Sequence, residues 1–419
     1  MKFDTVIIGG GLAGLTCGIK LAESGQKCAI VSSGQSALHF FSGSFDLLSY
    51  DRKGAEVAYP LEEINNLSDH HPYRRIGVNR IKELLPQVVP LLENAGLHFQ
   101  GDADMNHYVI NPMGKLKPTW LTIADFSIFD PMIGIPWTKI ALLNISGFLD
   151  FHTRFVASGL EASGITVQVK YFAMDSFEKI RHNPSEMRST NIAKIFDQET
   201  VIDEFIQRVN ELSEGFESVL LPAVFGLFNS TVVGKIKRGV NKPICLVPVI
   251  PPSVPGIRSQ ITLFKRFQAL GGKYFLGDSV ESGTFQEDKL LAVNTVNQGD
   301  ISLVADSFVM ATGGFSSLGL VASPEKIYDP VFDLDVISHD KRVDWVDKNI
   351  FNKQPFMYYG VKTDAAFHAI KAGRAIKNLY VIGSILSGAN SLKEGSGAGI
   401  SLLSALHVSD RIIKADSKE

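Results

Sequence analysis

The stretch that decides the fold is FDTVIIGGGLAGLTCGIKLAESGQKCAIV, residues 3–31. It begins with an uninterrupted apolar run at Val6–Ile8, as expected of a parallel strand that is covered on both faces. Gly9, Gly11 and Gly14 follow in G-x-G-x-x-G spacing. In such a motif the first glycine allows a tight turn, the second lets a phosphate approach the backbone, and the third lets the helix pack closely on the strand.

The segment after the glycine turn has the period of a helix. Leu12, Leu15 and Ile19 recur at helical spacing, and Gly25 stands where a left-handed cap would end the helix. Leu12 and Ala13 lie in the first turn, where free amide groups and the helix dipole favour an anion. A second apolar strand follows. The order of strand, glycine turn, helix and strand predicts a nucleotide-binding unit.

The end of the second strand lacks the residue that normally reads a ribose. A dinucleotide-binding unit places Asp or Glu roughly 20 residues after the glycine motif, whereas this chain has Ser32 at the end of the strand. A serine cannot make the charged, bidentate contact of a carboxylate, and no arginine stands beside it to bind a 2′-phosphate. This pattern argues against NAD and NADP. The candidate cofactor contacts in the loop that follows are Ser33, Gln35, Ser36, Ser42 and Gly43.

Two later segments have the same character. Residues 271–317 read as a strand, a small antiparallel meander and a buried strand, SFVMATGG, which supplies Thr312 and Gly313 at its end. Residues 379–412 read as a strand, LYVIGS, followed by a glycine-rich loop that opens a terminal helix. The candidate contacts in this last segment are Gly383, Ser384, Gly397, Ala398 and Gly399.

The composition excludes several classes of protein. The chain has 419 residues, 45% of them hydrophobic, and a formal net charge of -3, so it predicts a globular protein of two or three domains without a nucleic-acid footprint. Cys17, Cys28 and Cys245 lack metal-ligand spacing; the first two predict small buried residues, and Cys245 stands in a more open, loop-like run. The start, MKFDTVIIGG, leaves no room for a signal peptide, and no run of ~18 apolar residues appears. We therefore expect a cytoplasmic location.

Together, the three glycine-containing segments resemble the FAD-binding fold of glutathione-reductase-like flavoproteins. The resemblance implies an α/β, Rossmann-type flavin-binding domain with an inserted α+β cap domain. In related flavoproteins the GVxTD segment approaches the flavin ring, so Gly360 and Thr363 join the candidate cofactor contacts. The chain departs from that fold at Ser384, where the family has an Asp that holds the ribityl chain.

The middle of the chain, about 51–255, loses the parallel-sheet pattern and contains helix-like blocks at 78–97, 146–164 and 197–216. An insertion with its own core is the simplest interpretation. The predicted organisation is a flavin-binding domain in three segments, 1–50, 256–317 and 360–419, with an inserted cap or substrate domain at 51–255 and a second cap piece at 318–359.

Several longer segments resemble one family more closely. GQSALHFFSGSFDLLS (34–49), GKLKPTWLT (114–122), PPSVPGIR (251–258) and LYVIGSILSGAN (379–390) are similar to the B subunit of anaerobic glycerol-3-phosphate dehydrogenase. The resemblance covers nearly the whole chain. It implies an FMN-associated flavoprotein that pairs with the A subunit, which is the FAD-bearing dehydrogenase. An iron-sulfur protein, the C subunit, would tie the pair to the inner face of the cell membrane and pass electrons to quinone, with fumarate or nitrate as the final acceptor.

The absence of both carboxylates is compatible with FMN, which has no adenosine ribose for a residue at position 32 to read. FAD stays the alternative cofactor, since some FAD proteins use a serine there.

For glycerol 3-phosphate oxidation, a base must take the C2 hydroxyl proton and cations must hold the phosphate. His39, Arg258 and Lys362 are the candidates. A loop or packing role fits His39 better, a helix-start or surface role fits Arg258 better, and a solvated or paired role fits Lys362 better, so no catalytic residue is assigned. Two other functions stay open: a self-sufficient oxidoreductase of the fumarate-reductase or succinate-dehydrogenase type, and a non-catalytic scaffold protein within the complex.

Overall fold

A computed structural model describes residues 1–416 of the 419-residue chain and divides it into two compact units. Unit 1 consists of Met1–Ala37, Asp46–Leu97 and the chain from Thr262 onward; unit 2 consists of Leu38–Phe45 and His98–Ile261. Residues 417–419, which the predicted organisation places in the last flavin-binding segment, lie outside the described residues.

Unit 1 is built on a parallel sheet. Its strands are β1 (Lys2–Ile8), β2 (Cys28–Ser32), β3 (Lys273–Leu276), β4 (Leu303–Met310) and β5 (Arg374–Val381), in the spatial order β3-β2-β1-β4-β5. The apolar runs at Val6–Ile8 and Cys28–Val31 are buried, which is the reason for their continuous hydrophobic pattern. Three further strands pair antiparallel with this sheet: Val280–Gln286, Lys289–Thr295 and His368–Lys371.

Three long helices accompany this sheet: α1 (Leu12–Glu23), α2 (Val78–Asn94) and α3 (Gly397–Asp416). Helices α1 and α3 are in contact, with the Ser409 hydroxyl 3.3 Å from Cys17 Sγ. Helix α2 joins them through an ion pair of Arg80 with Asp410 on α3 and a 2.9 Å hydrogen bond from Lys20 on α1 to Gln87. The strand order and these helices confirm the Rossmann-type fold predicted from the first 31 residues.

The compact units differ from the predicted domain boundaries in four places: residues 38–45 and 256–261, predicted as flavin-binding, lie in unit 2, and residues 51–97 and 318–359, predicted as cap, lie in unit 1. Residues 51–97, which the sequence pattern assigns to the inserted domain, belong to unit 1 because α2 packs on α3 and the Tyr73 hydroxyl donates to Leu47 O at 2.7 Å. Residues 318–359 also lie in unit 1, where Trp345 and Tyr359 form a buried apolar cluster with Ile327. The remaining short elements of unit 1 are helices Pro60–Glu63, Pro72–Ile76 and Ser391–Glu394, and strands Val321–Ala322, Ile327–Tyr328, Val336–Ile337 and Gly360–Val361.

Unit 2 has a parallel sheet of its own. Its four strands follow the spatial order Ile244–Val247, Ser218–Pro222, Lys139–Ile145 and Thr166–Phe172, and every pairing is parallel. The expectation that the middle of the chain loses parallel-sheet character was therefore wrong. In Thr166–Phe172 exposed and half-buried positions are mixed and only Phe172 is buried, so the continuous apolar run that signals a parallel strand is missing there.

Helices connect the strands of this sheet, and small antiparallel pieces precede it. The helices are Thr153–Glu161, Glu178–Arg181, Ser189–Phe196, Glu199–Leu212, Thr231–Gly239 and Val254–Ala269, the last of which continues into unit 1 from Thr262. The antiparallel strands are Ser44–Phe45, Phe99–Gln100, His107–Ile110, Leu116–Thr119 and Leu121–Ile123. The helix-like blocks predicted at 78–97, 146–164 and 197–216 each contain a helix, although the middle block is helical only over Thr153–Glu161.

The core of unit 2 is a group of aromatic rings. Their centroids are 4.6–5.6 Å apart, in tilted or edge-to-face arrangements. The rings belong to Phe172, Phe177, Phe196, Phe205 and Phe225, all of which are buried. Burying one such side chain contributes about 1.5–3 kcal/mol to the free energy of unfolding, so this group supplies a large part of the hydrophobic stabilisation of unit 2.

All three cysteines are buried and free. Burial raises the pKa of the Cys17 and Cys245 thiols to about 12 and raises the pKa of Cys28 as well, so thiolate chemistry at neutral pH is suppressed. The prediction of buried residues holds for Cys17 and Cys28. Cys245 lies in the buried strand Ile244–Val247 and not in an open loop, because the strand begins directly after Pro243.

The buried imidazole of His407 generates a pH prediction. Burial, with the nearby Arg411 and Arg80 charges, lowers its pKa from 6.5 to about 4. Between these values the unfolded chain takes up a proton that the folded chain does not, so the free energy of unfolding falls as the pH drops from 6.5 to 4. The largest effect of this group is roughly 3 kcal/mol. Urea titrations at pH 7.0, 5.5 and 4.5 should give a shallower pH dependence for His407→Leu than for the unmodified protein.

The matched control for this experiment is His182→Leu, at an exposed position. This variant should retain the pH dependence of the unmodified protein. Equal slopes for His407→Leu and the unmodified protein would contradict the assignment of the acid sensitivity to His407.

Candidate cofactor site

The glycine turn after β1 is a place where side chains do not fit. Gly9 has φ +115°, and a Cβ on it would lie 2.3 Å from the carbonyl oxygen of Ala311. A Cβ on Gly14 would lie 1.9 Å from the Gly9 carbonyl oxygen. At Gly11, by contrast, the atom nearest to an added Cβ would be Cβ of Ser36, at 3.6 Å. Gly9 and Gly14 are thus required by packing, whereas a Cβ at position 11 would make only an ordinary van der Waals contact.

The N-terminus of α1 has the properties of an anion site. Gly11 is its N-cap and provides no side-chain cap, and no acidic residue lies in the first turn. The amide groups of Leu12 and Ala13 therefore lie at the positive end of the helix dipole, which is equivalent to about half an elementary charge. This end of the helix is available to a negatively charged ligand. The first turn fits a phosphate group.

The end of β2 places the predicted contacts Ser32, Ser33, Gln35 and Ser36 on one short stretch. Ser32 is buried, and its hydroxyl donates to the Gly34 carbonyl oxygen at 3.2 Å. Ser33 and Gln35 are exposed and Ser36 is half-buried. Tyr274 on β3, which no sequence motif indicates, joins this region: its hydroxyl donates to the Gly10 carbonyl oxygen at 3.4 Å.

The ends of β4 and β5 meet each other and the start of α1. Gly313 has φ +79°, and a Cβ on it would lie 3.7 Å from Ser384 Oγ. Gly383 has φ +77°, and a Cβ there would lie 2.9 Å from Cβ of Ala13. Beside them, Thr312 Oγ1 is buried and finds no hydrogen-bond partner among the residues that the structure describes. A buried hydroxyl without a partner fits a site that is completed by a ligand.

The start of α3 contributes to the same region. Gly383, Ser384 and Gly397 line one shallow cleft. The Gly383 amide donates to Ser404 Oγ on α3 at 2.9 Å, a contact that the sequence does not reveal. Gly397 and Ala398 are half-buried at the first turn of the helix, where the dipole again favours negative charge.

Gly399 serves the packing of this helix. Its amide donates to the Asp46 carbonyl oxygen at 3.0 Å, and a Cβ on it would lie 2.1 Å from the Tyr73 hydroxyl. The structure thus places Gly399 against the segment that follows residue 46, while the cleft is lined by its neighbour Gly397.

A buried histidine and glutamate anchor the glycine-rich loop in front of α3. His71 Nδ1 accepts a hydrogen bond from the Tyr73 amide at 3.1 Å, so its Nε2–H group is the donor to Glu394 Oε2 at 3.3 Å. The Ser396 hydroxyl donates to the same carboxylate oxygen at 3.3 Å. No motif in the sequence indicates this pair, because the two residues are far apart along the chain.

The predicted GVxTD segment lies against the turn after β5. A Cβ on Gly360 would lie 2.4 Å from the Ser387 amide nitrogen, so only glycine fits. Thr363 Oγ1 accepts a hydrogen bond of 2.5 Å from Arg75 Nη2. The guanidinium of Arg75 also stands 4.7 Å from the centre of the Phe367 ring, and its burial lowers its pKa. Arg75 is a further residue that was not predicted from the sequence.

The remaining two predicted contacts, Ser42 and Gly43, belong to unit 2. They line a cavity of about 190 Å³ together with Asn111, Lys117 and Thr122. Gly43 has φ +93° and packs against the Phe126 ring.

Of the three catalytic candidates, Lys362 lies on the surface as expected, whereas Arg258 is buried near the start of its helix and not on the surface. Arg258 is buried in an ion pair with Asp125 and donates to the Gly226 carbonyl oxygen at 3.1 Å. His39 is half-buried; burial lowers the pKa of its imidazole, and a hydrogen bond with Gln260 opposes that shift. Lys362 is exposed.

The comparisons with known proteins agree with this geometry. The profile of the FAD binding domain family matches residues 4–400. The fold, the two glycine-preceded helix starts and this match define the chain as a flavin-binding protein.

Relatives over the whole length narrow the class to one family. A protein of Yersinia enterocolitica that is named as the B subunit of anaerobic glycerol-3-phosphate dehydrogenase is 43% identical over 420 residues, which cover 99% of both chains. Proteins of the same name from Pectobacterium carotovorum and Aliivibrio fischeri are 41% and 35% identical, and the matches cover 99% of this chain and 99% and 96% of theirs. The chain belongs to the family of the B subunit of anaerobic glycerol-3-phosphate dehydrogenase. It is one flavoprotein of a dehydrogenase complex, as the resemblance in its sequence implies.

Solved structures are more distant. The 3-ketosteroid delta1-dehydrogenase from Sterolibacterium denitrificans is 9% identical, with a TM-score of 0.47 and coverage of 99% of this chain and 100% of that chain. Over residues 1–416, no helix has the length and apolar character needed to cross a membrane.

The two glycines at the start of α1 give contrasting predictions. In Gly14→Ala the methyl group collides with the Gly9 carbonyl, so we expect both a lower melting temperature, by several degrees, and loss of bound flavin. In Gly11→Ala the methyl group meets no backbone, so we expect an unchanged melting temperature and at least about tenfold weaker flavin binding, because the methyl occupies the path of the phosphate.

These variants are checked by calorimetry of the flavin-free protein and by flavin fluorescence titration. Gly234→Ala, in the helix Thr231–Gly239 where only the end of the Arg238 side chain is close, is the control and should leave both measurements unchanged. Full flavin affinity in Gly11→Ala would contradict the placement of a phosphate at this turn.

Proposed function

We propose that this chain is the flavin-bearing B subunit of a complex that oxidises sn-glycerol 3-phosphate to dihydroxyacetone phosphate. The observation that carries the proposal is the combination of a flavin-type site with relatives of that name, 35–43% identical over nearly the full chain. Its partners are the catalytic A subunit, which is the dehydrogenase, and the iron-sulfur C subunit. The iron-sulfur partner anchors the complex at the inner face of the cell membrane and passes electrons to quinone, with fumarate or nitrate as the final acceptor.

We propose FMN as the cofactor, with FAD as the alternative. The FAD binding domain match supports a flavin. FMN is favoured because the position whose carboxylate reads the adenosine ribose of FAD is Ser32 here. The start of α1 is suited to a single terminal phosphate, as in FMN. FMN has no adenosine ribose and therefore needs no ribose contact at the end of β2.

The oxidation removes a hydride from C2 of the substrate and a proton from its hydroxyl group. When bound, the flavin supplies the acceptor of the two electrons. The residues of this chain would bind and orient it: the first turn of α1 would hold the phosphate, and the first turn of α3 would stabilise negative charge through its dipole. Thr312 Oγ1, which has no partner within residues 1–416, would offer a hydroxyl just after β4, and Arg75 fixes Thr363 through its 2.5 Å hydrogen bond.

We propose none of the three candidates in this chain as the base that takes the proton, since His39 lies in unit 2 and is hydrogen-bonded with Gln260. Arg258 is held by Asp125 inside unit 2, and Lys362 points to solvent. We therefore propose that substrate oxidation requires the dehydrogenase partner, and that this chain takes part in electron transfer within the complex.

The identity of the flavin is tested directly on the purified chain. Denaturation followed by chromatography of the released flavin should yield FMN at close to one per chain. FAD at close to one per chain, with no FMN, would eliminate the FMN proposal and leave a flavoprotein of the same family.

The role of the partner is tested by anaerobic reduction. We expect the absorbance of the bound flavin to bleach when glycerol 3-phosphate is added to the chain together with the dehydrogenase partner, and to stay unchanged when the substrate is added to the chain alone. The control is dithionite, which should bleach both samples. Bleaching of the isolated chain by glycerol 3-phosphate or by succinate would indicate a self-sufficient oxidoreductase, and a colourless protein would indicate a scaffold role.

A further inference from the structure

Tyr274 on β3 stands at the end of β2, beside the position where dinucleotide-binding folds keep their ribose-reading carboxylate. We infer that Tyr274, together with Ser32, closes this position to an adenosine ribose and selects a mononucleotide flavin. The inference rests on the proposed FMN function and names the residue that enforces it.

The sheet register brings the two side chains together. Tyr274 pairs with Ile30 and Leu276 pairs with Ser32 in the parallel ladder of β3 and β2. Because side chains alternate between the faces of a sheet, Ile30, Ser32 and Tyr274 project to the same face. That face carries α1, since Ile30 is the neighbour that a Cβ on Gly18 of α1 would meet at 2.9 Å.

The Tyr274 hydroxyl occupies the space next to the glycine turn. A Cβ on Gly10 would lie 1.9 Å from the Tyr274 hydroxyl oxygen and 2.7 Å from Ser32 Oγ. The two hydroxyl groups thus converge on one backbone position, between the end of β2 and the first turn of α1. Gly10 is not one of the three glycines of the motif, and its lack of a side chain is explained by this contact.

The hydroxyl protons of Ser32 and Tyr274 are used within the protein. Ser32 donates to the Gly34 carbonyl oxygen at 3.2 Å, and Tyr274 donates to the Gly10 carbonyl oxygen at 3.4 Å. A hydrogen bond between Ser32 and Tyr274 opposes the rise in the tyrosine pKa that burial causes. A ribose diol arriving here would meet occupied donors, whereas a carboxylate would offer it two charged acceptors.

The tyrosine ring is held in place from behind. Phe264 packs edge-on at 4.8 Å between ring centroids, and Phe267 lies at 6.5 Å in a similar arrangement. Moving the ring aside to admit an adenosine would break these contacts. The exclusion is therefore a built feature of the aromatic cluster and does not depend on one mobile side chain.

The test converts the site towards a dinucleotide. The double variant Ser32→Asp with Tyr274→Phe installs a carboxylate and removes the competing hydroxyl while retaining the ring contacts; Ser32→Asp with Tyr274→Ala also opens the space. We expect both to bind FAD at least about tenfold more tightly than the unmodified chain, as a charged contact to a ribose allows. Because Ser32 is itself a predicted cofactor contact, the quantity that decides is the ratio of FAD to FMN affinity, which should rise at least about tenfold.

The readouts are fluorescence titration of the flavin-free protein with each flavin, and chromatography of the flavin retained after incubation with equimolar FMN and FAD. Circular dichroism verifies folding, and the phenylalanine variant keeps the test valid if the alanine variant does not fold. Tyr380→Phe on β5, in the same sheet but separated from β3 by β2, β1 and β4, is the control and should leave the flavin preference unchanged.

The outcomes separate this inference from the proposed function. If the unmodified chain retains FMN and the folded double variants gain FAD, the inference is supported. If the unmodified chain retains FMN and the variants keep the same preference, Tyr274 is not the selecting residue, while the FMN proposal stands. If the unmodified chain retains FAD, an adenosine is accommodated beside Tyr274, and both the FMN proposal and this inference fail.

Discussion

The close approach of helix α1 to the ends of β1 and β4 is the constraint on which the site depends. Hydrogen atoms at Gly9 and Gly14 permit contacts that any larger side chain would prevent, since a Cβ would lie 2.3 Å and 1.9 Å from carbonyl oxygens. Because the helix starts so near the strand ends, its free amides face the region where the three glycine-containing segments meet. Gly383, next to Ala13, then brings β5 into the same place. A longer distance between the first turn of α1 and the strand ends would separate the helix amides from the ends of β4 and β5.

The site depends more on backbone groups than on charges. Both positions where a carboxylate is expected are serines, and the arginine nearest to a predicted contact, Arg75, is engaged with Thr363 and the carbonyl oxygen of Asp364. Two helix starts and the hydroxyl of Thr312 remain to meet a negatively charged ligand. Such a site holds a phosphate firmly by geometry, and its electrostatics are set by dipoles whose orientation the fold fixes.

The sequence predicts the local parts of this architecture well. The strand, glycine turn and helix of residues 3–31 are found as predicted, because hydrophobic period and glycine spacing act over short distances. The meander and the terminal helix were also predicted, and the family resemblance is confirmed by the full-length relatives. The assignment of individual cofactor contacts, and of FMN, stays a prediction.

The parts that could not be predicted depend on packing between distant segments. Nothing in residues 51–97 indicates that α2 will pair Arg80 with Asp410, so this segment was assigned to the insertion. Tyr274 and Arg75 likewise reach the site through neighbouring elements, and no motif marks a residue that acts across such a distance.

The contact between His71 and Glu394 joins residues separated by 323 positions in the chain. The N-terminal part of a chain leaves the ribosome first. The glycine turn, α1 and β2 are therefore exposed long before β5, Glu394 and α3 have been synthesised. Contacts of such long range form late and are costly in loop-closure entropy. The glycine turn and α1 are thus encoded in the part of the chain that is synthesised first, and the glycine-rich start of α3 in the part that is synthesised last, so for most of translation only one of the two helix starts is present.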